Sequence, residues 1–520
     1  MAVTETEIAA RTLADQMPIL QVLIPFMAAP VIVIIGSRAL AWPLAFASSL
    51  AALIISVILL GNVMDGSIIS YQLGGWAPPL GIEYRVDAAN AIVLFLISLM
   101  AAVTLLFARD SVEHEIPRRN HTLFYACFML CVTGLLGVVI TADAFNVFVF
   151  LEISSLSTYV LVAAGAERDR RALTAAFDYL ILGTIGATFF VIGIGMLYMS
   201  TGTLNMADMA VRIADMGDHR TVLAGFVFIV VGIALKAAMF PLHLWLPNAY
   251  TLAPSAVTVF LAATATKAAI YVLLRFLFSV FTPAFDFELR TLTYVLGPLA
   301  VIAMFAGSFV AVFQSDFKRM LAYSSLAQIG YMLLGITMLN TSGITASIVH
   351  LFNHGITKGL LFMVVGAFVL RAGGSFYTQI EGLGRRMPIT GATLVVGGLS
   401  LIGVPGTVGF VSKWMLVQGA FENGLWWLAI LIVLSSLIAV VYVWRVVEVL
   451  YTRPSPADST VTEVPFGMVF PMILLAVATI WFGIDTDLTL GAAKIAAEGL
   501  LAGPVPIDPL PPMKGGGDGS

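Results

Sequence analysis

Charged residues are scarce in this chain of 520 residues, in which Asp, Glu, Lys and Arg together make up 11%. Soluble domains carry about 25% charged residues, so this composition excludes an ordinary soluble protein. Hydrophobic residues make up 60%, and the mean hydropathy is +0.99. Such a balance is typical of a polytopic helical membrane protein, in which each span needs about 20 mainly apolar residues.

Cysteine is nearly absent, and the motifs of nucleotide and cluster binding are missing. The two cysteines, Cys127 and Cys131, lie one helical turn apart in an apolar run, and we interpret them as small packing residues. The sequence has neither a GxxxxGK[ST] loop, nor a dinucleotide fingerprint, nor a cysteine cluster for iron–sulfur. We therefore expect no cofactor, no metal and no catalytic residue, and an energy source that is an ion gradient or a partner subunit.

The sequence also has no cluster of basic residues, and its first residues do not resemble a signal peptide. The net charge is −4 with no basic cluster, so nucleic acid is not an expected partner. Residues 1–17 are polar and acidic, without the basic start of a cleaved signal. These features together predict a chain that lies mostly within the lipid bilayer.

Apolar runs predict an all-α polytopic fold with about 14 transmembrane helices. The seventh, near 222–250, is interrupted at Pro241 and Pro247, and the twelfth, near 390–423, at Pro405. Proline removes a backbone donor, and freed backbone groups are tolerated in lipid only where protein or water satisfies them. Broken helices in both halves of a transporter indicate its ion path. The predicted spans are 18–36, 39–61, 88–108, 121–140, 143–165, 171–200, 222–250, 254–279, 291–313, 320–340, 343–371, 390–423, 426–450 and 466–485.

Arginine is distributed unequally between the two sets of loops. Loops after odd-numbered helices carry most of the arginines, for example Arg168, Arg170 and Arg171, whereas loops after even-numbered helices carry few. The positive-inside rule then places the odd-to-even loops in the cytoplasm. We therefore expect a multi-pass protein of the inner (plasma) membrane with both termini on the periplasmic or extracellular side. The turn-rich loop 62–87 predicts a small hairpin on that outer face.

Lysine is rare, with seven residues in all, and it is concentrated where its charge is most costly. A bare ammonium in hydrocarbon costs at least ~2.5–3.5 kcal/mol, yet four lysines lie within predicted helices. A long stem that carries the head group to the interface would explain Lys358, and also Lys318 at a helix entrance. It explains Lys236 and Lys267 poorly, because each is roughly ten residues, about 15 Å, from a helix end. Lys413 lies just past the break in the twelfth helix.

Glu152 is the acidic counterpart, placed in mid-helix between apolar residues and a run of Ser and Thr. A lone carboxylate in the membrane is expected to have a basic partner, and the partner we favour is Lys236. A nearby carboxylate favours the charged lysine, and its withdrawal leaves desolvation to favour the neutral form. The pair could thus load and unload a proton, or could instead be a fixed structural ion pair.

His350 and His354 are spaced to share one helix face, and Lys358 extends that face by another turn. Histidine titrates near neutral pH and suits a proton relay, although both residues could also be core histidines satisfied by hydrogen bonds. We predict an exit path that runs from Lys267 through the two histidines to Lys413, with these side chains pointing into the bundle.

The block FPLHLWLPNAYTLAPSAVTVFLAATATKAAIYVLLR resembles the signature of the antiporter-like subunits. These subunits are shared by Mrp-type multisubunit cation/proton antiporters, respiratory complex I and membrane-bound hydrogenases. HLFNHGITKGLLFM and GVPGTVGFVSKW resemble further blocks, and the resemblance covers roughly 88–450. It implies two inverted five-helix repeats, helices 4–8 and 9–13, each with one broken helix. The implied division is N-terminal helices 1–120, a first repeat 121–280, a second repeat 291–450, and helix 14 with a C-terminal tail 451–520.

The resemblance also implies roles for single residues. Glu152 matches the acidic residue of the family's fifth helix, and His350 and His354 match the polar central axis of the eleventh. Lys236 matches the family's lysine of the broken seventh helix, Lys267 that of the eighth and Lys413 that of the broken twelfth. The residues expected to carry protons are Glu152, Lys236, Lys267, His350, His354 and Lys413.

Two departures from the complex I pattern favour the D-type subunits of Mrp antiporters and their hydrogenase relatives. The segment Trp245–Tyr250 reads WLPNAY where complex I members usually read WLPDAH, and GVPGTVGF stands where PPLSGF is usual. The leading interpretation is a proton-translocating subunit of a Na⁺/H⁺ antiporter, a transporter subunit and not an enzyme. Its expected partners are the other subunits of a hetero-oligomeric membrane complex, with H⁺ and Na⁺ as the ions.

Two other functions compete with this interpretation. The alternative is a proton-pumping subunit of a respiratory redox complex, either a complex I-like NADH:quinone oxidoreductase or a membrane-bound hydrogenase. A structural subunit with a vestigial channel is disfavoured, because all the costly membrane charges are present.

Overall fold

The computed structural model describes residues 13–216, 219–282, 285–454 and 461–503. Within these ranges the protein is nearly all helical, and 12 helices are long and apolar enough to cross a membrane. Two further crossings, the seventh and the twelfth, each consist of two shorter helices. The predicted all-α polytopic fold with broken helices 7 and 12 is therefore confirmed.

The helices are numbered by their order across the membrane, with a and b for the halves of a broken helix. The first six are α1 (Met17–Ile35), α2 (Arg38–Val63), α3 (Ala88–Glu115), α4 (His121–Ile140), α5 (Ala144–Ala163) and α6 (Arg171–Thr201). The next six are α7a (Arg220–Lys236), α7b (Trp245–Leu252), α8 (Ser255–Arg275), α9 (Gly297–Val312), α10 (Phe317–Thr337) and α11 (Thr341–Ala372). The last five are α12a (Pro388–Ile402), α12b (Val408–Glu422), α13 (Trp426–Tyr451), α14 (Phe466–Ile484) and α15 (Asp487–Leu501).

Shorter elements lie between these helices. Strands β1 (Ile69–Gln72) and β2 (Glu83–Val86) pair antiparallel, which is the hairpin predicted for the loop 62–87. The short helix Met206–Met216 follows α6. Helix α15 occupies part of the stretch that the sequence analysis assigned to the C-terminal tail, and it packs on α11 and α3. The remainder of that tail, from residue 504 onward, lies outside the described residues.

Both helix breaks leave carbonyl groups that a side chain satisfies. In the seventh helix, the indole Nε1 of Trp245 donates to Leu235 O at 2.9 Å. In the twelfth, the ammonium of Lys413 donates to Leu401 O at 3.0 Å and to Ile402 O at 2.8 Å. Interior hydrocarbon offers no water to pair with a freed carbonyl, so these bonds are what make the breaks tolerable.

The two halves of the chain repeat one local arrangement. Asp143 before α5 and Asp316 before α10 each accept a hydrogen bond from the backbone N–H three residues on. Asp143 also forms a backbone bridge with Asn205, after α6, and Asp316 forms one with Phe376, after α11. The two turns lie an odd number of crossings apart, hence on opposite faces of the bundle, which agrees with the predicted inverted repeats.

Helix packing repeats at matching places as well. A Cβ built on Gly134 of α4 would lie 2.5 Å from the backbone nitrogen of Ser154 on α5. A Cβ on Gly307 of α9 would lie 2.7 Å from the backbone nitrogen of Ala327 on α10. Such distances are too short for any side chain, so glycine is required for α4 to pack on α5 and for α9 to pack on α10.

Candidate proton-translocation site

Glu152 on α5 and Lys236 at the end of α7a form an ion pair inside the membrane-spanning bundle. Lys236 Nζ lies 3.2 Å from Glu152 Oε1 and also donates to Ser155 Oγ at 2.6 Å. The side chain of Lys236 is 7% exposed and that of Glu152 is 23% exposed. Lys236 is the last residue of α7a, where the helix dipole favours a cation. The pairing predicted between these two residues is therefore present.

Close packing of α6 on α7a fixes the position of Lys236. A Cβ on Gly232 would lie 2.6 Å from the carbonyl oxygen of Gly186, and one on Gly193 would lie 2.6 Å from the side chain of Ile229. The helices thus touch through glycine backbones one turn before the lysine. Lys236 consequently has little freedom to change its place without a movement of α7a itself.

Lys267 lies deep within α8, whose side chains are nearly all buried. It is 0% exposed, donates to Ala262 O and lies 3.4 Å from Thr266 Oγ1. No carboxylate of the described residues lies within ion-pair distance of it. Lys267 therefore points into the bundle, as predicted, with only neutral oxygens as partners.

His350 and His354 are buried on α11 with parallel rings whose centroids are 5.9 Å apart. His350 Nδ1 shares a hydrogen bond of 2.8 Å with Ser412 Oγ on α12b. The other three ring nitrogens have no hydrogen-bond partner among the described residues. Buried polar atoms are nearly always paired in folded proteins, so these nitrogens are open hydrogen-bonding sites inside the bundle.

Lys413 on α12b connects the second helix break to the histidines. Its ammonium caps the C-terminal carbonyls of α12a and lies 5.0 Å from the ring centroid of Tyr331. The Tyr331 ring is in turn 5.7 Å from the ring of His350. Helix-end carbonyls and an aromatic face both stabilise a cation. Lys413 is buried among them and does not face lipid.

His350 contacts Ser412 on α12b and the ring of Tyr331, which also lies against Lys413. The path from Lys267 through the histidines to Lys413 stays a prediction. The Glu152–Lys236 pair forms a second group, held between α5 and α7a. Within the described ranges there is no group of three or more His, Cys, Asp or Glu that could hold a metal ion.

Lys358 is placed differently from the expectation. It is 0% exposed, where its stem was expected to reach the interface, and it donates to Leu321 O at 2.7 Å and to Ser324 Oγ on α10. The expectation of an interfacial head group is therefore wrong for Lys358. Lys318, near the start of α10, donates to Ala253 O at 2.5 Å and lines a cavity together with Arg168 and Arg171, which agrees with a place at a helix entrance.

Three neutral partners of these residues were not predicted from the sequence. Ser155, which binds Lys236, lies one turn after Glu152 on the same helix, and that spacing could have revealed it. Ser412 precedes Lys413 directly. Tyr331 lies on α10, far from both histidines and lysines in sequence, so only the fold could bring it to them.

Much of the chain, including the candidate site, matches a known protein family. Residues 141–439, more than half of the chain, match the family described as NADH:quinone oxidoreductase/Mrp antiporter, TM. The chain belongs to this family. The predicted family is thereby confirmed, and all six predicted proton carriers fall within the matched range.

Relatives within the NADH:quinone oxidoreductase/Mrp antiporter family come from both of its named branches. The chain is 38% identical over 487 residues to NADH-quinone oxidoreductase subunit N of Desulforudis audaxviator, covering 91% of this chain and 96% of that protein. It is 30% identical over 482 residues to the putative antiporter subunit mnhD2 of Staphylococcus aureus, covering 92% of this chain and 95% of that protein. Both similarities therefore span almost the whole chain.

Solved structures of the family share the fold. A chain of the Mrp complex from Dietzia sp. DQ12-45-1b matches with a TM-score of 0.85 at 27% identity, covering 94% of this chain and 98% of that chain. A chain of the archaeal membrane-bound sulfane sulfur reductase matches with a TM-score of 0.86 at 29% identity, with the same coverage. Respiratory complex I from Thermus thermophilus matches with a TM-score of 0.79 at 21% identity, over 93% of this chain and 99% of that chain, which shows the fold alone. The protein is thus a multi-pass membrane protein of an ion-translocating family.

Proposed function

We propose that this chain is the proton-translocating subunit of a multisubunit Na⁺/H⁺ antiporter, equivalent to the D-type subunit of Mrp complexes. The Glu152–Lys236 pair, a carboxylate and an ammonium held together beside a broken membrane helix, carries the proton-translocating part of the proposal. The similarity to the putative antiporter subunit mnhD2 and to a chain of the Mrp complex supports the antiporter part. Charged groups inside membrane bundles are costly and mark ion paths. Broken membrane helices also mark the ion sites of transporters.

In the proposed cycle, the distance between Glu152 and Lys236 controls the proton on the lysine. With the carboxylate at 3.2 Å, the charged ammonium is favoured. When Glu152 is neutralised or drawn away, burial alone acts on Lys236 and favours the neutral amine. The proton then leaves toward Lys267, which has only neutral oxygens as partners and can accept it.

The second half of the path is proposed to run from Lys267 through His354 and His350 to Lys413. The unpaired ring nitrogens of the histidines support this order, because waters placed on them could bridge the gaps. Lys413 supports an exit at the break of the twelfth helix, since its ammonium is bound to free carbonyls and not to a carboxylate.

The proposal includes an assembly and an orientation. The relatives named above belong to multisubunit complexes, so we propose that this chain acts together with other subunits of a hetero-oligomeric membrane complex. The excess of arginine in loops after odd-numbered helices supports an inner (plasma) membrane protein with both termini on the outer side. The domain boundaries inferred from the resemblance remain part of the same proposal.

The second candidate is a proton-pumping subunit of a respiratory redox complex. The 38% identity to a subunit of NADH-quinone oxidoreductase favours it. The same buried charges would serve either complex, because both translocate protons. The two complexes differ in what drives proton translocation.

Inside-out vesicles from cells that express the whole operon distinguish the two candidates. With a pH-sensitive dye, addition of Na⁺ without any redox substrate should collapse a preformed ΔpH if the complex is an antiporter. A Lys236→Ala complex should not respond, whereas Lys494→Ala, which changes an exposed lysine of α15, should respond as the wild type does. A ΔpH that forms only with a redox substrate, and that Na⁺ leaves unchanged, would refute the antiporter and support the second candidate.

A further inference from the structure

A water-accessible vestibule opens on the face of the bundle that carries the loops after odd-numbered helices. Its volume is about 680 Å³, enough for on the order of 20 waters at the density of the liquid. Arg168 and Arg171 line its mouth, and Asp178 of α6 with Asn248 and Thr251 of α7b line its wall. The vestibule therefore brings water to the second half of the broken seventh helix.

A stacked aromatic pair joins α6 to α7b next to the residues that line this vestibule. Tyr179 follows Asp178 directly, and its ring stacks on that of Trp245 with centroids 4.1 Å apart and planes 1° from parallel. Both rings are buried. Trp245 donates to Leu235 O, the carbonyl that precedes Lys236. The indole thus ties the stack to the residue before the lysine.

Tyr159 lies on the inner side of the stack. Its ring packs edge-on against Tyr179 at 4.8 Å, and it follows Ser155 by one turn of α5. Its hydroxyl is buried, faces Ser155 and Thr184, and forms no full hydrogen bond within the described residues. A phenol with an unused hydrogen-bonding site therefore stands between the stack and the serine that binds Lys236.

Helix α7b is held at its far end by two charged side chains. Lys318 of α10 donates to Ala253 O at the C-terminus of α7b, and the Glu115 carboxylate of α3 accepts from Ser255 N at the start of α8, at 3.0 Å. The helix itself has only eight residues and is separated from α7a by the break. Trp245 is the first residue of this helix, so any shift of α7b would carry the indole with it.

We propose that the Tyr179–Trp245 stack is the gate between the vestibule and the Glu152–Lys236 pair. This inference rests on the proposed function and adds the route by which protons reach the pair. In the closed arrangement, vestibule water reaches Asp178 and Asn248 and stops at the two rings. Displacement of Trp245 opens a path along Tyr159 and Ser155 to Lys236.

Chemical modification of carboxylates tests the gate without a transport assay. Vesicles of each orientation that carry the assembled complex are treated with a water-soluble carbodiimide and an amine, and modified residues are quantified by mass spectrometry. The reagent stays out of lipid, so the part of Glu152 at the bundle surface offers it no route. Asp178 in the vestibule serves as the internal reference in every sample.

In the wild type, Asp178 should be modified from the arginine-rich face while Glu152 is not. In Trp245→Ala, the ratio of modified Glu152 to modified Asp178 should rise by about tenfold or more, as for a closed state that loses its main restraint. Tyr179→Leu should also raise the ratio of modified Glu152 to modified Asp178, and it provides a second variant if Trp245→Ala does not assemble. Trp414→Ala, which truncates an exposed tryptophan of α12b, should match the wild type.

Two outcomes overturn the gate. One is modification of Glu152 as fast as Asp178 in the wild type, because then nothing blocks the path. The other is an assembled Trp245→Ala or Tyr179→Leu complex in which Asp178 is modified and Glu152 stays protected. Since the readout is a covalent label, failure of Na⁺-dependent transport in the wild type would refute the proposed function and leave this test intact.

Discussion

Replacement of Glu152 by glutamine removes the carboxylate that faces Lys236 and keeps its shape. Lys236 is 7% exposed, so its ammonium cannot turn to bulk water when the charge of its partner is lost, and only neutral acceptors, Ser155 Oγ and the new amide oxygen, remain beside it. Loss of one partner of a buried ion pair costs about 3–5 kcal/mol. Because the amide oxygen of glutamine can still accept a hydrogen bond from the ammonium, we expect the lower end of this range or slightly less, about 2–3 kcal/mol.

A loss of about 2–3 kcal/mol corresponds to a fall of roughly 30–150-fold in the ratio of charged to neutral Lys236, at about 1.4 kcal/mol per factor of ten. If the proton on Lys236 is the one that is transported, Na⁺-dependent ΔpH in vesicles should fall by a similar factor. Glu152→Asp keeps the charge at shorter reach and should have a milder effect.

Glu422→Gln is the matched control, since Glu422 is exposed at the end of α12b and accepts a hydrogen bond from Ser342. It should transport as the wild type does. The reasoning fails if an assembled Glu152→Gln complex transports within about twofold of the wild type, because a lost partner worth about 2–3 kcal/mol cannot leave the rate unchanged.

Three further predictions concern other parts of the structure. Lys358→Met should reduce vesicle transport as severely as Lys413→Ala, because both ammonium groups are buried and bound to helix carbonyls; normal transport by Lys358→Met would show that this buried charge is not needed for transport. Gly232→Val should lower the melting temperature of the protein in detergent, since a Cβ there would meet Gly186 O at 2.6 Å; an unchanged melting temperature would contradict the close contact of α6 and α7a. Asp316→Ala removes the N-cap of α10 and should cost about 1 kcal/mol of stability by the same assay, whereas Asp316→Asn, which can still cap, should cost less.

The Glu152–Lys236 pair could be predicted from the sequence because the energetic cost of a charge inside the membrane is enough to identify it. A carboxylate and a lysine in mid-membrane each need a partner, and few candidates exist in a chain with so little charge. The breaks in helices 7 and 12 were predictable for a similar reason, since Pro241 and Pro405 cannot continue a helix. These features depend on local rules that hold whatever the neighbouring helices are.

The position of Lys358 could not be predicted in the same way. Spacing along a helix shows which residues share a face, and Lys358 shares one with His350 and His354, but it does not show which helix that face meets. The oxygens that bind its ammonium group, on Leu321 and Ser324, belong to another helix. Only the tertiary structure reveals that this head group is satisfied internally.

Helix α15 was hidden for a different reason. Its buried residues are mostly alanines, such as Ala492 and Ala496, which make close helix contacts but give a weak apolar signal. The stack of Tyr179 on Trp245 joins α6 to α7b across a long stretch of sequence and has no local signature at all. The residues of the site likewise do not separate the antiporter from the redox branch, since both need buried charges that move protons.

The most direct test of the central claim is Na⁺-dependent dissipation of ΔpH in inside-out vesicles that contain equal amounts of assembled wild-type or Lys236→Ala complex. The account predicts a response to Na⁺ in the wild type without any redox substrate, and no response above the protein-free background in Lys236→Ala. A Lys236→Ala complex that responds as fast as the wild type would contradict the claim that the Glu152–Lys236 pair carries the transported proton.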